Sequence, residues 1–277
     1  MKIMKYKENQ KVHFSFYKNS IDDLMELDKN LFKNRPDLIL GIGPTSDYMF
    51  SDEELSSLTK LQNVKKLYLT GFKNKSLEPI SELKNIIGLE LYAVNQNEKL
   101  DISFIGKMNL LESLKMTCKI DSLEPIQKCN NLKQLHLSTR IEDFTFLEPL
   151  NKIEIIGIQG CYCINDFSLI NKESLKELHL ASVHTLENID TIQSFQSINK
   201  LCLDASKVKM LPDMSKLVTL KELDLRLKTW ENPEILKTLP NLERLRLREI
   251  NTKLEAEKFY FLTKIKTLKE IDFRFID

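Results

Sequence analysis

From residue 64 onward one pattern of apolar positions, apolar-x-x-apolar-x-apolar, recurs ten times. It begins as Val64-Leu67-Leu69, Ile86-Leu89-Leu91, Leu111-Leu114-Met116, Leu132-Leu135-Leu137 and Ile153-Ile156-Ile158. It continues as Leu175-Leu178-Leu180, Ile198-Leu201-Leu203, Leu220-Leu223-Leu225, Leu242-Leu245-Leu247 and Leu268-Ile271-Phe273. Successive starts lie 22, 25, 21, 21, 22, 23, 22, 22 and 26 residues apart. All thirty positions are apolar in a chain that is 42% hydrophobic, so the register is not an accident of composition.

The last two residues of each triplet are two apart and share one face of a short strand. A period near 22 leaves room for one strand, a turn, a short return segment and a second turn. One such unit cannot bury its apolar face alone, whereas stacked units can, with parallel strands about 4.8 Å apart. The returns repeat as well: Ser76-Leu-Glu-Pro-Ile80, Ser122-Leu-Glu-Pro-Ile126 and Phe146-Leu-Glu-Pro-Leu150 are near copies. Phe104-Ile105, Leu169-Ile170 and Ile235-Leu236 hold comparable places. Proline in these segments removes a backbone donor and fixes φ, which suits a helical turn and not a ladder strand.

These residues resemble the leucine-rich repeat family, in particular its short-repeat, SDS22-like or internalin-like class. The resemblance covers about residues 61–277. It implies an α/β solenoid with a curved parallel β-sheet on the concave face and short helices or 3-10 turns on the convex face. It also implies a concave sheet that binds proteins. The chain departs from the family at the turn after each strand, where an Asn is common three residues past the triplet. That place holds Phe72, Val94, Lys119, Arg140, Cys161, Val183, Ser206, Lys228, Ile250 and Ile276. Irregular turns are the expectation, with Cys118 or Thr139 substituting in the two 21-residue units.

Residues 1–60 fit the repeat poorly and read as an N-terminal cap ahead of a solenoid of about ten repeats over 61–277. Val12, Phe14 and Phe16 alternate as in a strand. Ser20-x-x-Asp23 opens a helix carrying Ile21, Leu24, Met25, Leu27, Leu31 and Phe32, which Pro36 ends. Leu38-Ile39-Leu40 reads as a second strand, from a degenerate repeat, and Ser51-x-x-Glu54 opens a second helix. Near the other end, 254–264 reads as helical before a last strand at 268–273. That strand is an open edge guarded by Asp272, Arg274 and Asp277, or else a dimer contact through Phe273, Phe275 and Ile276. A monomer is the expectation, with the edge dimer as the alternative.

The strand residues between the buried ones should line the concave face. The candidate partner-binding residues there are Tyr68 and Tyr92 near one end, His136, Gln159 and His179 in the middle, and Asp204, Asp224, Arg226, Arg246, Arg248 and Arg274 near the other. Tyrosines suit interface anchors and arginines suit a partner's carboxylates. The plainer reading of the charged end is a solvated surface whose charges pair across strands, each pair worth little.

Lys and Arg number 41 and Asp and Glu 40, so overall charge does not point to nucleic acid or an anionic membrane. The arginine-rich end leaves nucleic-acid binding as a minor alternative, which its interleaved carboxylates oppose. Five scattered cysteines, with no apolar leader or membrane-length run, lead to the expectation of a cytoplasmic protein with reduced thiols. His136 and His179 are two repeats apart, too far to share a metal unaided, and Cys161-x-Cys163 lacks a matching pair. Gly41-Ile-Gly43-Pro44 lacks the lysine and hydroxyl residue of a phosphate loop. Trp230 reads as a turn-packing residue. No cofactor, metal or catalytic residue is expected, and an enzyme is the minor alternative. The expected function is a non-enzymatic module that binds a partner protein, with a bacterial immunity or inhibitor protein against a cognate toxin or enzyme as its sharper version.

Overall fold

A computed structural model describes residues 7–43, 49–93, 98–161, 168–171, 173–183, 185–187, 189–250 and 256–275. The chain forms two compact units, residues 1–139 and 140–277. The first holds strands β1 (Lys11–Phe14), β2 (Ile39–Ile42), β3 (Lys66–Thr70), β4 (Gly88–Tyr92) and β5 (Ser113–Thr117), and most of β6 (Gln134–Ile141). The second holds β7 (Ile155–Cys161), β8 (Glu177–Ala181), β9 (Lys200–Asp204), β10 (Glu222–Arg226), β11 (Arg244–Ile250) and β12 (Glu270–Phe275). Within each unit the strands pair in chain order and in parallel, with triplet residues in register: Leu67 faces Leu89, which faces Leu114. Likewise Leu201 faces Leu223, which faces Leu245. This is the leucine-rich repeat solenoid architecture.

The triplets do what their spacing requires. Every triplet residue from Val64 to Leu247 is buried, each leucine contributing about 1.5–3 kcal/mol of hydrophobic transfer. The last triplet differs. Ile271 on β12 is 44% exposed, because β12 has a described neighbour on one side only.

The returns are 3-10 helices at Glu78–Glu82, Ser103–Lys107, Glu124–Lys128, Thr145–Leu147, Asp190–Ser194, Pro233–Thr238 and Ala256–Lys264. Pro79, Pro125 and Pro233 open their helices, where a missing N–H costs nothing. The third Leu-Glu-Pro copy is out of phase with the other two. Ile80 and Ile126 each close the first turn onto the carbonyl three residues back, and in the next copy Leu147 takes that place, with Leu150 closing the following turn onto Leu147 as Leu83 does onto Ile80. Pro149 therefore follows its helix instead of starting it.

The strands read in residues 1–60 are rungs of the same ladder: Val12 faces Leu40, which faces Leu67, and Phe14 faces Ile42, which faces Leu69. β1 ends at Phe14, and Phe16 leaves the ladder to pack edge-on against Phe14 and Phe50. Helices α1 (Ile21–Leu27) and α2 (Asp52–Leu58) begin with reciprocal Ser20–Asp23 and Ser51–Glu54 capping boxes. The helix read as far as Phe32 widens after Leu27 into a π-helical turn, Asp28–Phe32. Gly43 has φ of 123°, and a Cβ there would lie 2.0 Å from the Thr70 carbonyl oxygen, so this turn admits only glycine.

Turn capping does come from a polar ladder, but on the turns leading into five of the strands. Asn85, Asn131 and Asn241, each just before a triplet, donate from Nδ2 to backbone carbonyls of the preceding coil at 2.8 Å. Ser174 and Thr219 do the same with their hydroxyls. On the trailing turn, where the family's Asn is absent, buried Phe72 and Val183 fill the space, preceded by Gly71 and Ser182 with positive φ.

Candidate functional site

A parallel ladder in register fixes where intervening side chains stand. Alternate residues go to the core, and those between stand in columns on the opposite sheet face, about 4.8 Å apart. In the first unit the middle column runs His13, Gly41, Tyr68, Glu90, Lys115, His136. Without a side chain at Gly41, the His13 and Tyr68 rings meet edge-to-face across it, centroids 6.5 Å apart. A Cβ there would press to 3.0 Å from His13 Nδ1. Lys11 Nζ sits 3.6 Å over the Tyr68 ring and 2.7 Å from Glu90 Oε2. Tyr68 is thus half-buried in a cluster built by β1, β3 and β4, whereas Tyr92 is 42% exposed. Tyr92 stands in a column of hydroxyls, Thr70, Tyr92, Thr117 and Ser138. Lys11 and His13 escaped the sequence reading because β1 was not recognised as a rung. The alternation of Val12 and Phe14 was the available signal.

In the second unit the face is a network of opposed charges. Arg244 reaches Glu222 at 2.9 Å and Glu270 at 3.2 Å, and Lys200 also reaches Glu222, at 3.5 Å. Arg246 bridges Asp224, at 3.4 Å, and Asp272, at 3.1 Å. Arg248 grips Asp224 with both Nε and a terminal nitrogen, leaving that carboxylate side chain 13% exposed. Arg226 lies 3.4 Å from Asp204, which also accepts from the Ser182 N–H. His179 lies 3.2 Å from Glu177 Oε2 and Gln159 is exposed on β7. The side chain of Arg274 lies outside the described residues, as do those of Phe275, Ile276, Asp277 and the Cys161-x-Cys163 pair. These ion pairs use up much of the arginines' hydrogen-bonding capacity within the chain.

A further column lies one residue ahead of the strands, where Glu112 pairs with Lys133 at 3.0 Å and Glu154 with Lys176 at 2.9 Å. Glu243 sits between Lys221 and Lys269, and its hydrogen bond from Lys269 lowers its pKa. Opposite signs on adjacent coils favour the native register.

Burial raises the thiols: Cys118 to about 12, and Cys129 and Cys202 to about 11. All three are free, and at neutral pH they are protonated and poor nucleophiles. Trp230 is buried, donates to Asn232 Oδ1 at 3.1 Å and packs against Phe259, which is a turn-packing role. Among the described residues no three His, Cys, Asp or Glu side chains gather as a metal site. Among them, too, no helix is long and apolar enough to cross a membrane.

No protein-family model matches the chain, and no curated protein matches it. Solved structures do. An internalin from Listeria monocytogenes superposes with a TM-score of 0.65 at 19% identity, over 89% of this chain and 71% of that one. A leucine-rich repeat protein from Leptospira interrogans gives 0.63 at 21% identity, over 87% of this chain and 61% of that one. At such low identity the likeness is one of architecture, and the chain has the internalin-like leucine-rich repeat fold.

Proposed function

We propose that the chain is a non-enzymatic module that binds a partner protein on the exposed face of its parallel ladder. One observation carries this reading: from β3 to β11 the triplet side chains are locked into the core, and those between are held at fixed spacing on a backbone with little freedom left to lose. Binding to such a surface carries a small ordering cost. Exposed Tyr92, with Tyr68 beside it, offers large rigid contact area. His136 completes the contact set in the first unit. Gln159, His179, Asp204, Asp224, Arg226, Arg246, Arg248 and Arg274 form that of the second. Pairing of its described arginines with carboxylates supports a protein partner over a nucleic acid, whose phosphates would meet those carboxylates.

The test is affinity capture from the native organism with the wild-type chain, Tyr68→Ala/Tyr92→Ala, Arg246→Ala/Arg248→Ala and a control, Lys84→Ala, at an exposed residue of the turn between the Glu78–Glu82 helix and β4. A protein retained by wild type and Lys84→Ala but lost from a sheet-face variant is the expected result. The same proteins on all four baits would defeat the reading.

A further inference from the structure

The sheet faces of the two units are charged differently. In the second unit carboxylates and arginines alternate and neutralise one another. In the first, Glu90 is the one carboxylate among the described residues that β1 to β6 direct to the face, and Lys11 holds it at 2.7 Å. Two lysines remain. Lys66 on β3 donates only to the neutral amide oxygen of Asn9, and exposed Lys115 on β5 has no ionic partner among the described residues. Asp37, whose field reaches Lys66, is clamped by Arg35 through bonds of 2.8 and 2.7 Å. Beside the lysines, Thr70, Tyr92 and Thr117 stand in one register row on adjacent strands and place hydroxyl donors about 4.8 Å apart. Ammonium and hydroxyl donors in this arrangement match carboxylates.

We infer that the first unit's sheet face docks a carboxylate-rich segment of the partner protein, with Lys66 and Lys115 as its cationic contacts and Thr70, Tyr92 and Thr117 as hydroxyl donors. The inference rests on the partner-binding reading above and supplies the chemistry of the segment bound. Two lysines without a described ion-pair partner, and no arginine fork on strands β3 to β5, make a poor phosphate-polymer site, which needs many neutralised phosphates.

The experiment uses the full chain and three fluorescein-labelled probes: a twelve-residue Glu/Ser peptide, its Gln/Ser counterpart, and a single-stranded oligonucleotide of equal charge. The Glu/Ser peptide binds saturably in low salt and the Gln/Ser peptide does not. Lys66→Glu/Lys115→Glu weakens binding by about tenfold, while Lys84→Glu in the turn ahead of β4 leaves it unchanged. Lys66→Gln/Lys115→Gln gives an intermediate loss, and equal thermal midpoints show that all variants fold. No saturable peptide binding, an unchanged Kd in the charge-reversed variant, or tighter binding of the oligonucleotide overturns the inference. If capture of a partner still depends on Tyr92 while peptide binding ignores the lysines, this inference fails alone. If capture ignores every sheet-face variant, the reading beneath it fails.

Discussion

The carboxylate of Asp28, on the π-helical turn after α1, accepts the backbone N–H of Val64 at 3.0 Å, thirty-six residues further along the chain. The same carboxylate accepts the N–H groups of Gln62 and Asn63 and the Asn63 amide. Val64 is the first residue of the first regular triplet, so one buried side chain ties the α1 segment to the turn that launches the ladder. Those N–H groups lie where later coils use Asn, Ser or Thr for capping.

Asp28→Ala strips the acceptor from three backbone donors at once. A buried donor left unpaired costs about 1–3 kcal/mol, and some readmit water, so we expect a loss of about 3 kcal/mol in urea unfolding. Asp28→Asn keeps one oxygen acceptor and should lose about half as much. Equal stability of Asp28→Ala and wild type would show that the turn caps itself without this carboxylate.

Gly43→Ala tests a different constraint. The added methyl would meet the Thr70 carbonyl oxygen, which is backbone and cannot swing away, at a φ that side chains rarely adopt. We expect destabilisation by about 3 kcal/mol. Gly88→Ala is the control, since a Cβ there approaches only the flexible Lys66 side chain, at 3.3 Å. It should change stability by less than about 1 kcal/mol. Similar denaturation midpoints for the two variants would contradict the geometry.

Much of this was legible in the sequence, because the triplets recur every 21 to 26 residues and each but the last stands for a buried rung. Of the first two rungs, the one at Leu40 reads only as a degenerate repeat and the one at Val12 as a strand outside the ladder. Val12 to Leu40 and Leu40 to Leu67 are coils of 28 and 27 residues, and Asn9 and Asp37 occupy the first triplet place. Asp37 is polar there and pairs with Arg35, so an apolar template misses it. The capping ladder was hidden for another reason. Asn85, Asn131, Ser174, Thr219 and Asn241 share a register, but the family's habit directs attention to the turn on the other side of the strand. The phase slip at Pro149 was unreadable locally, since Leu-Glu-Pro-Leu satisfies the motif in either frame. The charge columns could be written down from the triplets, and their alternation already implied pairing. Which arginine takes which carboxylate required geometry, because Arg248 reaches diagonally to Asp224.

Asp224 sits between Arg246 and Arg248, and its position decides whether those arginines are held by the chain itself. Both arginines are more than one-third exposed, so solvent screens the pairs, and a double-mutant cycle on Asp224→Ala and Arg248→Ala should give a coupling of about 1 kcal/mol. The coupling should shrink as salt is raised toward about 1 M. Zero coupling would mean that the arginines are not restrained by Asp224 and stand ready for an outside carboxylate.

Acid should unfold the chain through carboxylates in its return turns. Asp101 accepts the Ser103 N–H, and Asp213 the Ser215 N–H, at 2.8 and 2.9 Å, and each is held below the usual carboxylate range first by that backbone bond. Asp143 is lowered first by the Thr145 hydroxyl and then by its N–H. The folded values lie below those of the unfolded chain, where aspartate titrates near 3.9, about the model-peptide value. Each group therefore contributes its full stability above roughly pH 4 and loses it as pH falls through the lower folded value. Thermal midpoints should be flat from about pH 7 to 5 on account of these groups and fall below about pH 4. Asn at the three positions keeps an oxygen acceptor for the backbone N–H but does not titrate. The triple variant Asp101→Asn/Asp143→Asn/Asp213→Asn should consequently lose less of its thermal midpoint between about pH 5 and 3 than wild type does. An acid limb of equal steepness in the two proteins would move the sensitivity to other lowered carboxylates, such as Asp37 beside Arg35 and Glu243 beside Lys269.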